Sequence, residues 1–191
     1  MSEPWEARRP HEGAARVTAL PPRAMIALRG AWADMAPALA PFIEAPGQRR
    51  ASFREGCTLL WMSPDEALLI LPEGEREAAL DALGAASAGA FLTAADMGHA
   101  RVAALIEDGA GLPGSAREAL AKLTPQDMHQ DAFGPGDVRR TRLAQIPAAI
   151  WMREGGAIEA IAFRSVADYL WEVLRLAADP AARPGHLAPR G

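Results

Sequence analysis

The densest run of chemically capable side chains is Asp127-Met128-His129-Gln130-Asp131, with Phe133 two residues further on. A histidine flanked by carboxylates can act as an acid–base pair or a weak metal contact. The same residues also suit a loop after a helix, where Asp and His bond nearby backbone groups. An aromatic among polar neighbours is a common interface arrangement, and Asp127, His129, Asp131 and Phe133 are expected to face a partner rather than a substrate, the competing reading being that Phe133 tucks into the core and the loop is scaffolding. Pro135 and Gly136 would fix the exit of this loop into the next strand.

Other candidates for chemistry lead back to structure. His11, His99 and His186 lie far apart in sequence, and neither a His-Glu-x-x-His motif nor two histidines at helical spacing occurs. Ser63, Ser115 and Ser165 stand where a turn or helix cap wants a hydroxyl, outside any Gly-x-Ser-x-Gly elbow. Cys57 is the single cysteine and opens an apolar strand, where a thiol behaves as a small hydrophobe. Gly109, Gly111 and Gly114 satisfy Gly-x-Gly-x-x-Gly between a strand and a helix. A dinucleotide site also needs a parallel βαβ unit with an acidic residue about 20 positions on. Here the helix is short and runs into the 127–136 loop. Neither catalytic nor cofactor-binding nor metal-binding residues are assigned.

The elements that position these residues follow from periodicity. Met25–Leu28, Cys57–Met62, Ala67–Leu71, Phe91–Ala95, Val102–Ile106, Val138–Ile146, Ala148–Met152 and Ile158–Phe163 read as strands. Helices are expected over Trp32–Phe42, over Glu75–Leu83 with Gly84 as its end, from Gly114-Ser115 to Leu123, and over Val166–Ala177 with Ser165 as cap. A strand–helix–hairpin–helix order thus occurs twice, with Trp61-Met62 and Trp151-Met152 at matching points. The fold class is α+β, two ferredoxin-like halves fused through a shared sheet surface. One domain over 17–178 is expected, with halves at about 17–97 and 98–178. Residues 1–16 read as a flexible arm, either mobile or ordered on contact, and 179–191 as a flexible, proline-rich tail.

Composition sets the class. Among 191 residues there are 20 basic and 24 acidic ones, a net charge of −4, which argues against a nucleic-acid partner. The charged N-terminus lacks a signal-peptide run, and no apolar stretch approaches bilayer length, so the chain reads as cytoplasmic with no membrane partner. Lys122 is the sole lysine; the other basic residues are arginines.

Four segments resemble the gamma subunit family of heterotetrameric sarcosine oxidase. Trp61-Met62-Ser63-Pro64-Asp65-Glu66-Ala67-Leu68-Leu69 is similar to its Trp-x-x-Pro-Asp-Glu-Trp-Leu hairpin. Asp127-Met128-His129, Phe133-Gly134-Pro135-Gly136 and Thr141-Arg142-Leu143 resemble its Asp-Leu-His, Phe-x-Pro-Gly, Thr-x-Leu series. Arg164-Ser165 with Leu170-Trp171 resembles its closing helix. Ala67 stands where an aromatic is expected. A related iron–sulfur maintenance family shares only the Gly56-Cys57 pair of its motif.

The resemblance implies the fold of the folate-binding domain of glycine-cleavage T-protein. It also implies a complex with alpha, beta and small delta subunits that demethylates sarcosine to glycine, releases hydrogen peroxide and passes a one-carbon unit to tetrahydrofolate. FAD, FMN, NAD and tetrahydrofolate are then expected on the partner subunits and none on this chain. The alternative is a free-standing folate-binding module, favoured if acidic and aromatic residues such as Asp96 or Trp151 face a cavity.

Overall fold

A computed structural model describes residues 4–182. The chain divides into two compact units, one of Pro22–Arg101 and one made of the chain up to Pro21 together with the chain from Val102 onward. In order come β1 (His11–Glu12), β2 (Ala15–Ala19), β3 (Ala24–Gly30), α1 (Trp32–Leu39), β4 (Ala51–Arg54), β5 (Cys57–Ser63), β6 (Glu66–Leu71), α2 (Arg76–Ala86) and β7 (Leu92–Asp96). Then follow β8 (Arg101–Asp108), α3 (Ser115–Ala121), β9 (Val138–Leu143), β10 (Ile146–Met152), β11 (Ile158–Phe163) and α4 (Ala167–Ala177).

Within Pro22–Arg101 the order β3-α1-β5-β6-α2-β7 makes an antiparallel sheet with neighbours β5-β6-β3-β7, and β4 extends it beyond β5. This is the ferredoxin-like arrangement. Alternate residues of the central strand, Ala24, Ile26 and Leu28, share one face and pack with Met35 and Leu39 of α1, Leu83 of α2, and Leu59 and Leu69. Gly84 lies inside α2 rather than ending it, and the helix runs on to Ala86. The reason is that glycine lowers helix propensity by only about 1 kcal/mol, which packing of Ala79 and Leu83 overrides.

The second unit repeats the pattern with one exchange. β8, β10 and β11 take the positions of β3, β5 and β6, with β9 outside β10. Nothing after α4 supplies a fourth strand among the described residues; β2 does, pairing antiparallel with β8 from Ala15↔Asp108 to Ala19↔Ala104. It occupies the place that β7 holds beside β3. Residues 4–19 are therefore an ordered part of this unit and not a mobile arm. Trp5 is buried, Val17 is wholly buried, and both join the core of Ile106, Leu120, Phe133, Ile150, Leu170 and Leu174. The Ala15-Arg16-Val17-Thr18-Ala19 alternation is short and half polar, which hid it as a strand. The halves accordingly do not divide at a single point of the sequence near residue 97, because residues up to 21 belong with those after 101.

Smaller differences have local causes. β9 and β10 part at Ala144-Gln145, where Ala144 takes φ 51°, and Pro147 lies inside β10. Ser115 is the first residue of α3 and Gly114, with φ 82°, is its cap. Ser165 sits in a single 3-10 turn, Arg164–Val166, and the residue at the cap of α4 is Val166 instead. Of the expected tail, Pro180–Ala182 forms one 3-10 turn, while 183–191, with His186, lies outside the described residues.

Candidate functional site

The 127–136 loop is held from within. The Asp127 carboxylate accepts from the His129 backbone N–H at 2.8 Å, and His129 Nδ1 accepts from the Asp131 N–H at 3.3 Å. Asp131 Oδ2 lies 3.3 Å from the same ring nitrogen. Asp127 and Asp131 are exposed and His129 is half-buried. These bonds are those of a folded turn, and among the described residues no group of three or more acidic, cysteine or histidine side chains is gathered closely enough to hold a metal ion.

Phe133 departs from expectation. Its side chain is 0 % exposed and belongs to the core around α3 and α4. The Arg139 guanidinium lies 5.5 Å from its ring centroid and donates to the Ala132 carbonyl at 2.6 Å. Arg117 of α3 donates to the carbonyls of Met128 (3.0 Å) and Phe133 (2.5 Å), satisfying backbone groups that a buried loop would otherwise orphan. Burial pulls the Arg117 pKa downward, against the opposing pull of Asp108 and Asp137. An aromatic wholly inside the core is not an exposed docking anchor. Phe133 fastens the loop to its own unit.

The glycine motif is filled by the protein itself. Asp108, the last residue of β8, accepts from the N–H groups of Gly114 and Ala116, each at 2.8 Å. Gly109 N–H reaches Ser115 Oγ at 3.0 Å. A side chain at Gly109 would place its Cβ 2.3 Å from the Ala14 carbonyl oxygen, so this glycine lets β8 leave the sheet beside the N-terminal segment. A carboxylate already occupies the donors that a phosphate would need.

Remaining candidates resolve similarly. Cys57 is buried, and burial pushes its thiol up to about 11, far from the range of a reactive thiolate. Ser63 Oγ donates to Asp65 Oδ1 at 2.5 Å within the β5–β6 turn. Lys122 donates from Nζ to the carbonyl of Ala177, the last residue of α4, and to that of Ala182 in the following 3-10 turn; the first placement suits a cation at the negative end of a helix. Asp96 bonds the Gly98 N–H at 2.8 Å in one unit, while Trp151 is fully buried in the other. Sequence reasoning also missed an apolar cleft of about 360 Å³ lined by Trp32, Ala36, Ala45, Pro46, Gln48, Trp61 and Pro64. The Trp32 indole is pinned there by a 3.2 Å bond to the Ser63 carbonyl. The Trp61–Pro64 hairpin was the available signal.

Known proteins resemble this chain in sequence and in fold. A model of the family described as sarcosine oxidase, gamma subunit family, matches residues 42–180. The sarcosine oxidase subunit gamma of an Arthrobacter species is 37 % identical over 102 residues, 53 % of this chain and 46 % of that one. Its counterpart from Corynebacterium sp. (strain P-1) is 39 % identical over 100 residues, 51 % of this chain and 44 % of that one. The matched stretch thus spans about half the length of these relatives. Among solved structures, the heterotetrameric sarcosine oxidase from Corynebacterium sp. U-96, in complex with pyrrole 2-carboxylate, contains a chain of TM-score 0.75 and 24 % identity. That match covers 87 % of this chain and 85 % of the other. The glycine cleavage system aminomethyltransferase T from Bartonella henselae matches at TM-score 0.60 and 17 % identity, covering 88 % of this chain and 50 % of that one. The two structural likenesses concern the fold, and it is the family match over residues 42–180 that assigns the chain to the sarcosine oxidase gamma subunit family.

Proposed function

We propose that this chain is the non-catalytic gamma subunit of a heterotetrameric sarcosine oxidase. In this reading it supports the oxidative demethylation of sarcosine to glycine, with hydrogen peroxide formation and one-carbon transfer to tetrahydrofolate. The observation that carries the reading is the family match over residues 42–180. Alpha, beta and delta subunits are its partners, and they hold FAD, FMN, NAD and tetrahydrofolate. The candidate groups in this chain support that division of labour. The Asp108 carboxylate fills the glycine loop, the Cys57 thiol is buried, and the Asp127–His129–Asp131 turn bonds mainly to itself. The exposed Asp127 and Asp131 and the half-buried His129 remain a partner-facing surface in this proposal, while Phe133 supports them from inside.

The experiment is a comparison of the purified chain with the co-purified complex. Visible absorbance and peroxide release with sarcosine are measured for both. The chain alone is expected to be colourless and inactive, and the complex yellow and active. A flavin bound to this chain, or turnover by it alone, contradicts the proposal.

A further inference from the structure

The apolar cleft of the unit Pro22–Arg101 is held in shape by the backbone around it. Trp32 opens α1, and Ala36 follows one turn later on the same side of the helix. Trp61 shares one side of β5 with Cys57 and Leu59, which pack with the helices. The connection from α1 to β4 supplies Pro46 and Gln48. That connection is fixed by bonds from Arg50 N–H to the Gly47 carbonyl and from Trp61 N–H to the Arg50 carbonyl, each at 3.1 Å. Arg54 Nη1 adds a 2.8 Å bond to the Phe42 carbonyl. The cleft volume of about 360 Å³ lies within the roughly 300–1,000 Å³ of ligand sites.

The lining selects what can enter. None of its side chains is ionised, so a charged group brought inside would lose hydration without gaining a partner. Two indoles and the rings of Pro46 and Pro64 present apolar faces. Trp32 has spent its N–H on the Ser63 carbonyl. Among the described residues, nothing accepts from the half-buried Trp61 indole or bonds the exposed Gln48 amide. The fitting occupant has an apolar body and offers acceptors rather than donors. A proline-rich segment in the polyproline II form meets both demands, because its prolines carry no N–H and its carbonyls have no internal partners. Charge adds a further preference. Arg49, next after Gln48, is exposed and makes no ion pair with a described residue, and residues 45–54 hold three arginines and no acid.

We propose that this cleft binds a proline-rich extended segment of a partner polypeptide, flanked by an acidic residue. Proline rings pack on the two indoles, and the Trp61 N–H and Gln48 amide donate to the segment's carbonyls. The flanking carboxylate pairs with the Arg49 guanidinium. The proposal goes beyond the subunit reading and does not depend on it.

Calorimetry and NMR of the full chain decide it, with a capped Glu-Pro-Pro-Leu-Pro-Pro-Glu peptide as probe; an acid at each end serves either direction of binding. Saturable binding is expected, with shifts at the Trp32 and Trp61 indole N–H groups and at the Gln48 side-chain amide. The same peptide with alanine for every proline is expected to bind at least about tenfold more weakly, since it loses the preformed extended shape. Trp61→Phe keeps an aromatic ring but removes the donor, and is expected to weaken binding about fivefold, the worth of one hydrogen bond. Gln48→Leu, at an exposed loop position, reads the other donor with a similar loss and covers the case in which Trp61→Phe folds poorly. Arg49→Glu is expected to weaken binding of the glutamate peptide and strengthen that of its lysine counterpart. Absence of binding at millimolar peptide, equal binding of the alanine peptide, or shifts centred away from the cleft overturns the proposal. So does wild-type affinity in Gln48→Leu or in a folded Trp61→Phe, and so does tighter binding of an amphipathic helical peptide at the same residues.

Discussion

Trp5 packs edge-on against Trp171, with ring centroids 6.0 Å apart and planes at 85°. This contact ties the first described residues of the chain to its last α-helix. The Arg8 guanidinium lies 5.4 Å from the Trp5 ring centroid and 5.6 Å from that of Trp171, and it pairs with Asp168. The segment that supplies the fourth strand of its sheet is thereby anchored at both β8 and α4. Trp5→Ala is expected to destabilise the chain by about 3–5 kcal/mol, as for other buried tryptophans. Deletion of residues 1–21 is expected to unfold the unit that contains α4. Urea denaturation and amide NMR check both; a truncated chain that keeps native α4 signals contradicts the account.

Asp108 tests the structural reading of the glycine motif. Asp108→Ala removes acceptors for the Gly114 and Ala116 N–H groups and is expected to cost about 1 kcal/mol. Calorimetry with NAD is expected to show no binding to the native chain. Unchanged stability in Asp108→Ala, together with NAD binding, would return the loop to a nucleotide role.

Phe133 and His129 separate scaffold from surface. Phe133→Ala empties a fully buried site and is expected to destabilise by about 3–5 kcal/mol. His129→Ala, at a half-buried loop position, is expected to change stability by less than about 0.5 kcal/mol. Thermal denaturation of the two variants reads the contrast, and a stable Phe133→Ala chain would put the side chain back at the surface.

The Cys57 thiol titrates above its unfolded value because it is buried, so the folded state holds its proton to higher pH. The resulting stability is complete below the unfolded value near 9 and is lost as pH rises through about 11. Urea midpoints are expected to fall over that window in the native chain and less in Cys57→Ala. At pH 8, Ellman's reagent is expected to label Cys57 only after unfolding. Rapid labelling of the folded chain contradicts this.

Much of this architecture was legible from periodicity, since β3, β5, β6, β8 and β11 carry apolar residues dense enough to mark them. β1, β4 and β2 were missed, and of these β2 matters most to the topology. Its role follows from the absence of a strand after α4 among the described residues, a topological demand that no local pattern states. Phe133 was misplaced for a related reason. Polar neighbours predict a surface, but Arg117 satisfies the carbonyls of Met128 and of Phe133 itself, which lets an aromatic sink between polar residues. Asp108 was overlooked because the acid that fills the glycine loop comes just before the motif, not within it.

Co-expression of this chain with its cognate large and small flavin-enzyme subunits, followed by size-exclusion chromatography with mass analysis, tests the central claim most directly. Co-elution as one complex containing this chain, with loss of sarcosine oxidase assembly when the chain is omitted, is the expected result. Separate elution at micromolar concentration, with an intact and active oxidase in its absence, would contradict it.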